Sequence, residues 1–243
     1  MFGIKLRPLT LILLGTVAPA RAGPPYLTDD PAPTDLRQWE IYSFVDDEGI
    51  SGIQDADAGF DLNYGAAEGV QLTATLPMSF SRNKTEGWRS GTGDVEVAVK
   101  YRFLNDEKRG VSAAIFPRVI LPTSSLEDGG KARVLLPVWI ERDFAGGTSL
   151  FGGGGYEINP GTGNRNFWQA GLALTHDLSK TLSVGTEITH QGADADGGTA
   201  QTRAGVGAIA KLSDHYSLLF SGGPTWGDHR TGYHLYGAVG LFF

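Results

Sequence analysis

The chain contains no cysteine. That excludes a disulfide framework, a cysteine-based zinc site and a thiol nucleophile. Bases are also scarce. Twenty Lys and Arg face 27 Asp and Glu in 243 residues, a formal net charge of −7 with no basic run. Such a chain makes a poor nucleic-acid binder. Long apolar runs are missing too: beyond the first two dozen residues nothing approaches the roughly 20 apolar residues of a spanning helix. Charged residues make up 19% and aromatics 10%, which argues against disorder. Glycine is what the chain has in excess. Its 35 copies are about twice the usual share and follow no collagen period.

The first residues read as an address. Lys5 and Arg7 precede the apolar run Leu9–Leu14, and Ala20-Arg21-Ala22 supplies an A-x-A site. This is the order of a cleaved secretory signal, residues 1–22. Residues 23–38, GPPYLTDDPAPTDLRQ, hold four prolines and are expected as an irregular periplasmic arm or a plug.

From residue 39 the pattern changes to a period of two. In Val70–Phe80 the residues Val70, Leu72, Ala74, Leu76, Met78 and Phe80 interleave with Gln71, Thr73, Thr75, Pro77 and Ser79. Residues 94–103 repeat the alternation, with Val95, Val97, Val99, Tyr101 and Phe103 on one face. Strict alternation over ten residues is a strand with one apolar side, and this length suits a tilted bilayer strand. The same rule gives about twelve strands, with short turns on one side and longer loops, including 46–56, 81–93 and 224–232, on the other. The expected fold is all-β: a transmembrane antiparallel up-and-down β-barrel over residues 39–243. Ala113–Leu121 and Val134–Ile140 are apolar on both faces, as a soluble sandwich core would be.

Aromatics favour the bilayer. Phe60, Phe80, Trp168 and Tyr233 are expected in an outer girdle, and Tyr64, Tyr101 and Phe103 in an inner one, because amphipathic rings prefer the headgroup level. The last strand alternates to a terminal Phe243, the pattern of an assembly signal read by the bacterial outer-membrane assembly machinery. Many glycines fall inside strands, where they permit bends and close approach.

No catalytic, metal or cofactor site emerges. Gly205-Val-Gly207-Ala-Ile-Ala210 fits a nucleotide-loop pattern but lies inside a strand. Asp194-Ala-Asp196-Gly197 lacks the Glu that closes a calcium loop. The five histidines show no ligand spacing, so the chain is not expected to be an enzyme. The polar phase carries both signs of charge. Glu96, Lys100, Arg102, Arg118, Glu141, Glu157, Glu187 and Arg203 are candidate lumen-lining residues, with Phe116 and Trp139 as an apolar section.

The stretches PYLTDDPAPTDLRQWEIY (25–42), GFDLNYG (59–65), GDVEVAVKYRFL (93–104), LLPVWIERDF (135–144) and LFGGGGYEINPG (150–161) resemble a transporter-like outer-membrane barrel family, that of the MetA pathway of phenol degradation. The likeness covers roughly residues 25–190. It implies a Gram-negative outer-membrane channel passing small aromatic or hydrophobic compounds. Membrane lipids, the assembly machinery and a small-molecule solute are the partners expected. The alternative is a structural or surface-interaction barrel with a closed lumen, its long loops carrying Trp88 and Trp226.

Overall fold

The computed structural model describes residues 24–50, 52–83, 87–126 and 130–243. The expected signal, residues 1–22, lies outside them. Fourteen β segments follow the period-two stretches. They are β1 (Trp39–Ile50), β2 (Ile53–Ala67), β3 (Val70–Asn83), β4 (Gly87–Thr92), β5 (Val95–Asp106), β6 (Val111–Ile115) and β7 (Arg118–Leu121). The second half comprises β8 (Arg133–Phe144), β9 (Thr148–Ile158), β10 (Phe167–Ser179), β11 (Leu182–Gln191), β12 (Gln201–Lys211), β13 (Tyr216–Gly227) and β14 (Arg230–Phe242). All pairings between them are antiparallel, and β14 returns to β1 in register from Glu40↔Phe242 to Ile50↔Gly232, closing the ring.

Fourteen segments make twelve staves. Both β4 and β5 pair with β3, their register shifted by one residue between them, and both β6 and β7 pair with β5 and with β8 in continuous register; among the described residues β4 pairs only with β3. The interruptions coincide with prolines, which cannot donate to a ladder. The first break, at Gly93, faces Pro77, whose carbonyl accepts the Gly93 amide at 3.0 Å. The second, at Phe116–Pro117, faces Pro137, whose carbonyl accepts the Phe116 amide at 3.2 Å.

Burial runs opposite to a soluble barrel. Leu72, Met78, Leu136, Ile140, Leu172, Val206 and Phe220 are exposed, while Lys100, Glu141, Glu157 and Glu187 are buried. This also resolves the two-faced stretch 134–140. Leu136, Val138 and Ile140 face out, and Leu135 and Trp139 fill the interior.

The loop rhythm differs from expectation. Residues 46–56, 81–93 and 224–232 are largely strand, so three of the six connections at the second rim are tight hairpins. Charge hid them. Asp46, Glu48, Asp55 and Asp57 keep the alternation but occupy the inward phase, with Asp46 opposite Asp57 and Glu48 opposite Asp55. At about 3.3 Å per residue and a tilt of about 40°, the 15 residues of β2 rise roughly 38 Å, past the ~25 Å apolar band. Those hairpins therefore stand above the lipid and need no apolar face. The β13–β14 turn uses two non-glycine residues of positive φ, Asp228 (48°) and His229 (58°), the geometry of a type I′ hairpin.

Candidate functional site: the lumen and its arm

Residues 24–34 lie inside the barrel, crossing it from the β1–β3 wall to the β11–β13 wall, and residues 35–38 lead from the rim into β1. The path starts where Leu36 bridges Gly65 on β2, and Arg37, at φ 62°, turns the chain into β1. A β-carbon at Gly65 would stand 1.9 Å from the Asp35 carbonyl oxygen, so only glycine admits the arm here. Further in, the Thr34 amide and hydroxyl donate to Gln71 Oε1 at 2.8 and 3.1 Å. Across the lumen, the amides of Leu27 and Thr28 and the Thr28 hydroxyl donate to the Glu187 carboxylate at 3.0–3.2 Å. Ser221 Oγ donates to the Pro25 carbonyl.

Glycines on the inner wall receive the arm. β-Carbons at Gly171 and Gly185 would stand 2.3 Å from Thr28 Oγ1 and 2.4 Å from the Tyr26 hydroxyl. Tyr26 packs edge-on against Phe151, with ring centroids 6.2 Å apart. Burial first, then the Glu187 charge, raises its hydroxyl pKa.

The centre of the arm is held by charge. Asp29 Oδ1 takes Lys100 Nζ at 2.9 Å, and Asp29 Oδ2 takes Arg118 Nη2 at 2.9 Å. Arg118 also reaches Glu96 at 3.3 Å. Both cations lie over the Phe116 ring, Lys100 at 4.8 Å and Arg118 at 4.3 Å from its centroid. Phe116 packs with Trp139 and Ala98. Asp30 is fully buried. Its Oδ1 accepts the Ala32 amide and stands 4.0 Å from Lys100, while Oδ2 has no partner among the described residues. Burial pushes its carboxyl up to about 7, against the opposing pull of Lys100.

A cavity of about 1110 Å³ runs from this cluster to the short-turn rim, lined among others by Tyr42, Asp61, Asn63, Thr73 and Leu219. Its wall is hydrogen-bonded throughout: Tyr42 donates to Glu40, Thr75 and Asn63 donate to Asp61, and Gln71 donates to Asn63. Toward the opposite rim, struts cross the interior. Arg133 reaches Asp94 and Glu157 at 3.3 and 3.1 Å, and Arg203 pairs with Glu48. Residues 122–126 fold onto β4, where Ser125 Oγ accepts the Thr92 amide at 3.0 Å and Arg89 donates to the Leu126 carbonyl at 3.2 Å.

The candidate lining residues thus fall into groups. Lys100 and Arg118 meet the arm directly, Glu96 braces Arg118, Phe116 lies under both cations, and Glu187 holds the arm's far end. Glu157 and Arg203 belong to the struts. Glu141 is buried with Ser112 Oγ at 3.5 Å. Arg102 is half-buried near the short-turn rim, where its amide donates to Gly69. Of the girdle candidates, Tyr64 packs on Trp39 with tilted rings 4.8 Å apart, Tyr101 and Phe103 are exposed near that same rim, and Trp168 packs on Tyr156 at 5.1 Å near the other. Phe80 and Tyr233 stand on the tall hairpins. Phe60 sits at the middle of β2 and not at its outer end, because the strand continues to Ile53. Phe243 exchanges backbone hydrogen bonds with Trp39 at 2.6 and 3.1 Å, so the last residue closes the ring.

The arm's own side chains, Tyr26, Thr28, Asp29 and Asp30, were not among the sequence candidates. The only signal for them was the Thr28-Asp29-Asp30 cluster in a proline-rich segment. Among the described residues no group of His, Asp and Glu is arranged to hold a metal. His176 and His190 bond Thr148 and Thr202 at exposed positions, and His234 is buried beside Thr225.

A closed twelve-stave ring with a polar interior and an apolar exterior is the fold of outer-membrane channels. The structural comparisons agree. The COG4313 outer membrane channel from Pseudomonas putida F1 superposes with a TM-score of 0.69 at 12% identity, over 87% of this chain and 97% of that one. The KdgM porin gives 0.58 at 10% identity, over 83% and 98%, and the NanC porin 0.54 at 10%, over 82% and 98%. At these identities the likeness establishes the fold alone. No family model and no curated protein matches the chain, so the resemblance to the MetA-pathway barrels rests on the quoted segments.

Proposed function

We propose that this chain is a non-enzymatic channel of the Gram-negative outer membrane, passively admitting small aromatic or hydrophobic compounds, with residues 24–38 as its plug. In this reading residues 1–22 are the export signal, the short-turn rim faces the periplasm, and Phe243 is the signal for the assembly machinery. The observation that carries it is the arm. A barrel needing only a closed interior would fill it with wall side chains, whereas here a segment separate from the wall, held by hydrogen bonds and ion pairs, lies beside a cavity of about 1110 Å³. Phe116, which lines the cavity and packs on Trp139 and Ala98, favours an apolar solute over a sugar.

The test is planar-bilayer conductance and liposome uptake of the mature chain beside a variant lacking residues 24–36. Removing the arm should raise conductance and speed uptake of phenol-sized solutes. A barrel that stays tight without its arm defeats the channel reading. It would then favour a surface-interaction barrel, for which the exposed Trp88, stacked under Arg82 at 5.7 Å, and Trp226 on the tall hairpins are the supporting feature.

A further inference from the structure

The charged centre of the lumen is built asymmetrically. The wall supplies two cations, Lys100 and Arg118, each aimed at a different oxygen of one carboxylate, 2.9 Å away in both cases. It also supplies an apolar floor, since Phe116 lies beneath both cations and packs on Trp139 and Ala98. Trp139 is 6% exposed, and its indole N–H has no acceptor among the described residues. The carboxylate that completes this arrangement comes not from the wall but from Asp29 on the arm.

A buried ion pair is a poor way to gain stability, because desolvation cancels most of the attraction, but it is a good way to specify one partner. An Arg and a Lys dividing one carboxylate above an aromatic face is a recognition geometry for an organic acid. We propose that Lys100, Arg118, Phe116 and Trp139 form a binding site for a small monocarboxylate with an apolar body, and that Asp29 occupies this site as an intramolecular stand-in while the arm is docked. The charge of the incoming acid follows from its neighbours. Glu96, a wall residue that stays in place when the arm leaves, already shares Arg118 at 3.3 Å. A second negative charge on the ligand would meet it, so the site takes monoanions and rejects dianions. The need for an apolar body follows from competition: a tethered carboxylate acts at an effective concentration in the millimolar range, which acetate cannot beat without added apolar contact.

The site rests on the channel reading only for the ligand's route, and binding can be measured without a membrane. Mature wild type and Asp29→Ala, both in detergent, are titrated calorimetrically with benzoate, hexanoate, benzyl alcohol and phthalate. Benzoate or hexanoate should bind Asp29→Ala at least about tenfold more tightly than wild type, since the tethered competitor is gone. Benzyl alcohol and phthalate should gain little. Adding Arg118→Gln, or Lys100→Gln where that barrel keeps its heat-shifted gel migration better, should abolish the gain. No gain for either monocarboxylate, or an equal gain for benzyl alcohol or phthalate, overturns the proposal. Binding without conductance would leave the site standing and defeat the channel; conductance without binding would do the reverse.

Discussion

Asp30 should make docking of the arm depend on pH, in a direction the structure fixes. Its carboxyl is fully buried and moves from an ordinary 3.8 to about 7 when the arm is seated. The cause is burial first. Asp29 and Glu40 add to it, while Lys100 and the Ala32 amide oppose it; Glu141 is a further acid that feels its charge. Between those two values the docked arm holds a proton that the released arm has lost, so raising the pH favours release. Docking strength is fully present below about pH 4 and is lost as pH rises through about 7. At about 1.36 kcal/mol per unit the whole change is on the order of 4 kcal/mol, or roughly tenfold in the opening equilibrium for each pH unit within the window. Because the chain has no cysteine, a Cys replacing the buried Thr28 reports opening through its rate of maleimide labelling. Dividing that rate by the rate in the same Cys variant carrying Asp30→Asn cancels the thiol's own titration. The ratio should climb from pH 4.5 to 7 and level off above. A ratio that is flat or falls across this range would refute the argument.

Three further outcomes follow from the same contacts. Glu187→Ala leaves the Leu27 amide and the buried Thr28 amide and hydroxyl without their acceptor, a cost of about 3 kcal/mol, so labelling at residue 34 as Cys should speed up by roughly a hundredfold while the heat-shifted barrel band persists. Gly171→Val places a side chain where Thr28 now lies; bilayer recordings should show the higher conductance of an unseated arm, and unchanged conductance would mean the arm is not the barrier. Deleting Phe243 removes the two backbone hydrogen bonds to Trp39 that end the β1–β14 seam. Pulse-chase should then show slower appearance of the heat-modifiable form, with normal export.

Strands were legible wherever lipid imposes its own period. Each wall residue from Val70 to Leu76 faces either hydrocarbon or the lumen, so hydropathy alone assigns its side. Legibility failed where that contrast vanishes. Above the lipid, Asp46, Glu48, Asp55 and Asp57 still alternate with Asp47, Gln54 and Ala56, but both faces meet water and the stretch resembles a loop. The interior was legible as a phase and illegible as a set of contacts. Glu187 could be assigned inward, yet nothing local indicates that its partner is a backbone 159 residues away. The strand glycines fall between these cases. Their number signalled close approach, and only the path of residues 26–28 shows what approaches Gly171 and Gly185.

The chemistry of the arm also bears on whether it can leave. A segment seated by apolar contacts would have to expose that surface on release, at about 25 cal/mol per Å², and nothing in the lumen could substitute for the lost contact. This arm is seated mainly by groups that water or a solute can replace: the Glu187 carboxylate, the Gln71 amide, and the pair Lys100 and Arg118. Net contributions of about 1 kcal/mol for a neutral hydrogen bond, and about 1.5–3 for a charged one, let a few anchors hold the arm firmly while each remains exchangeable in turn. Asp30 fits this arrangement as its weakest element, since it is buried with one oxygen unpartnered among the described residues and gains solvation on release. On the channel reading, such a carboxyl at the centre of the arm lowers the cost of release, because its own burial opposes docking.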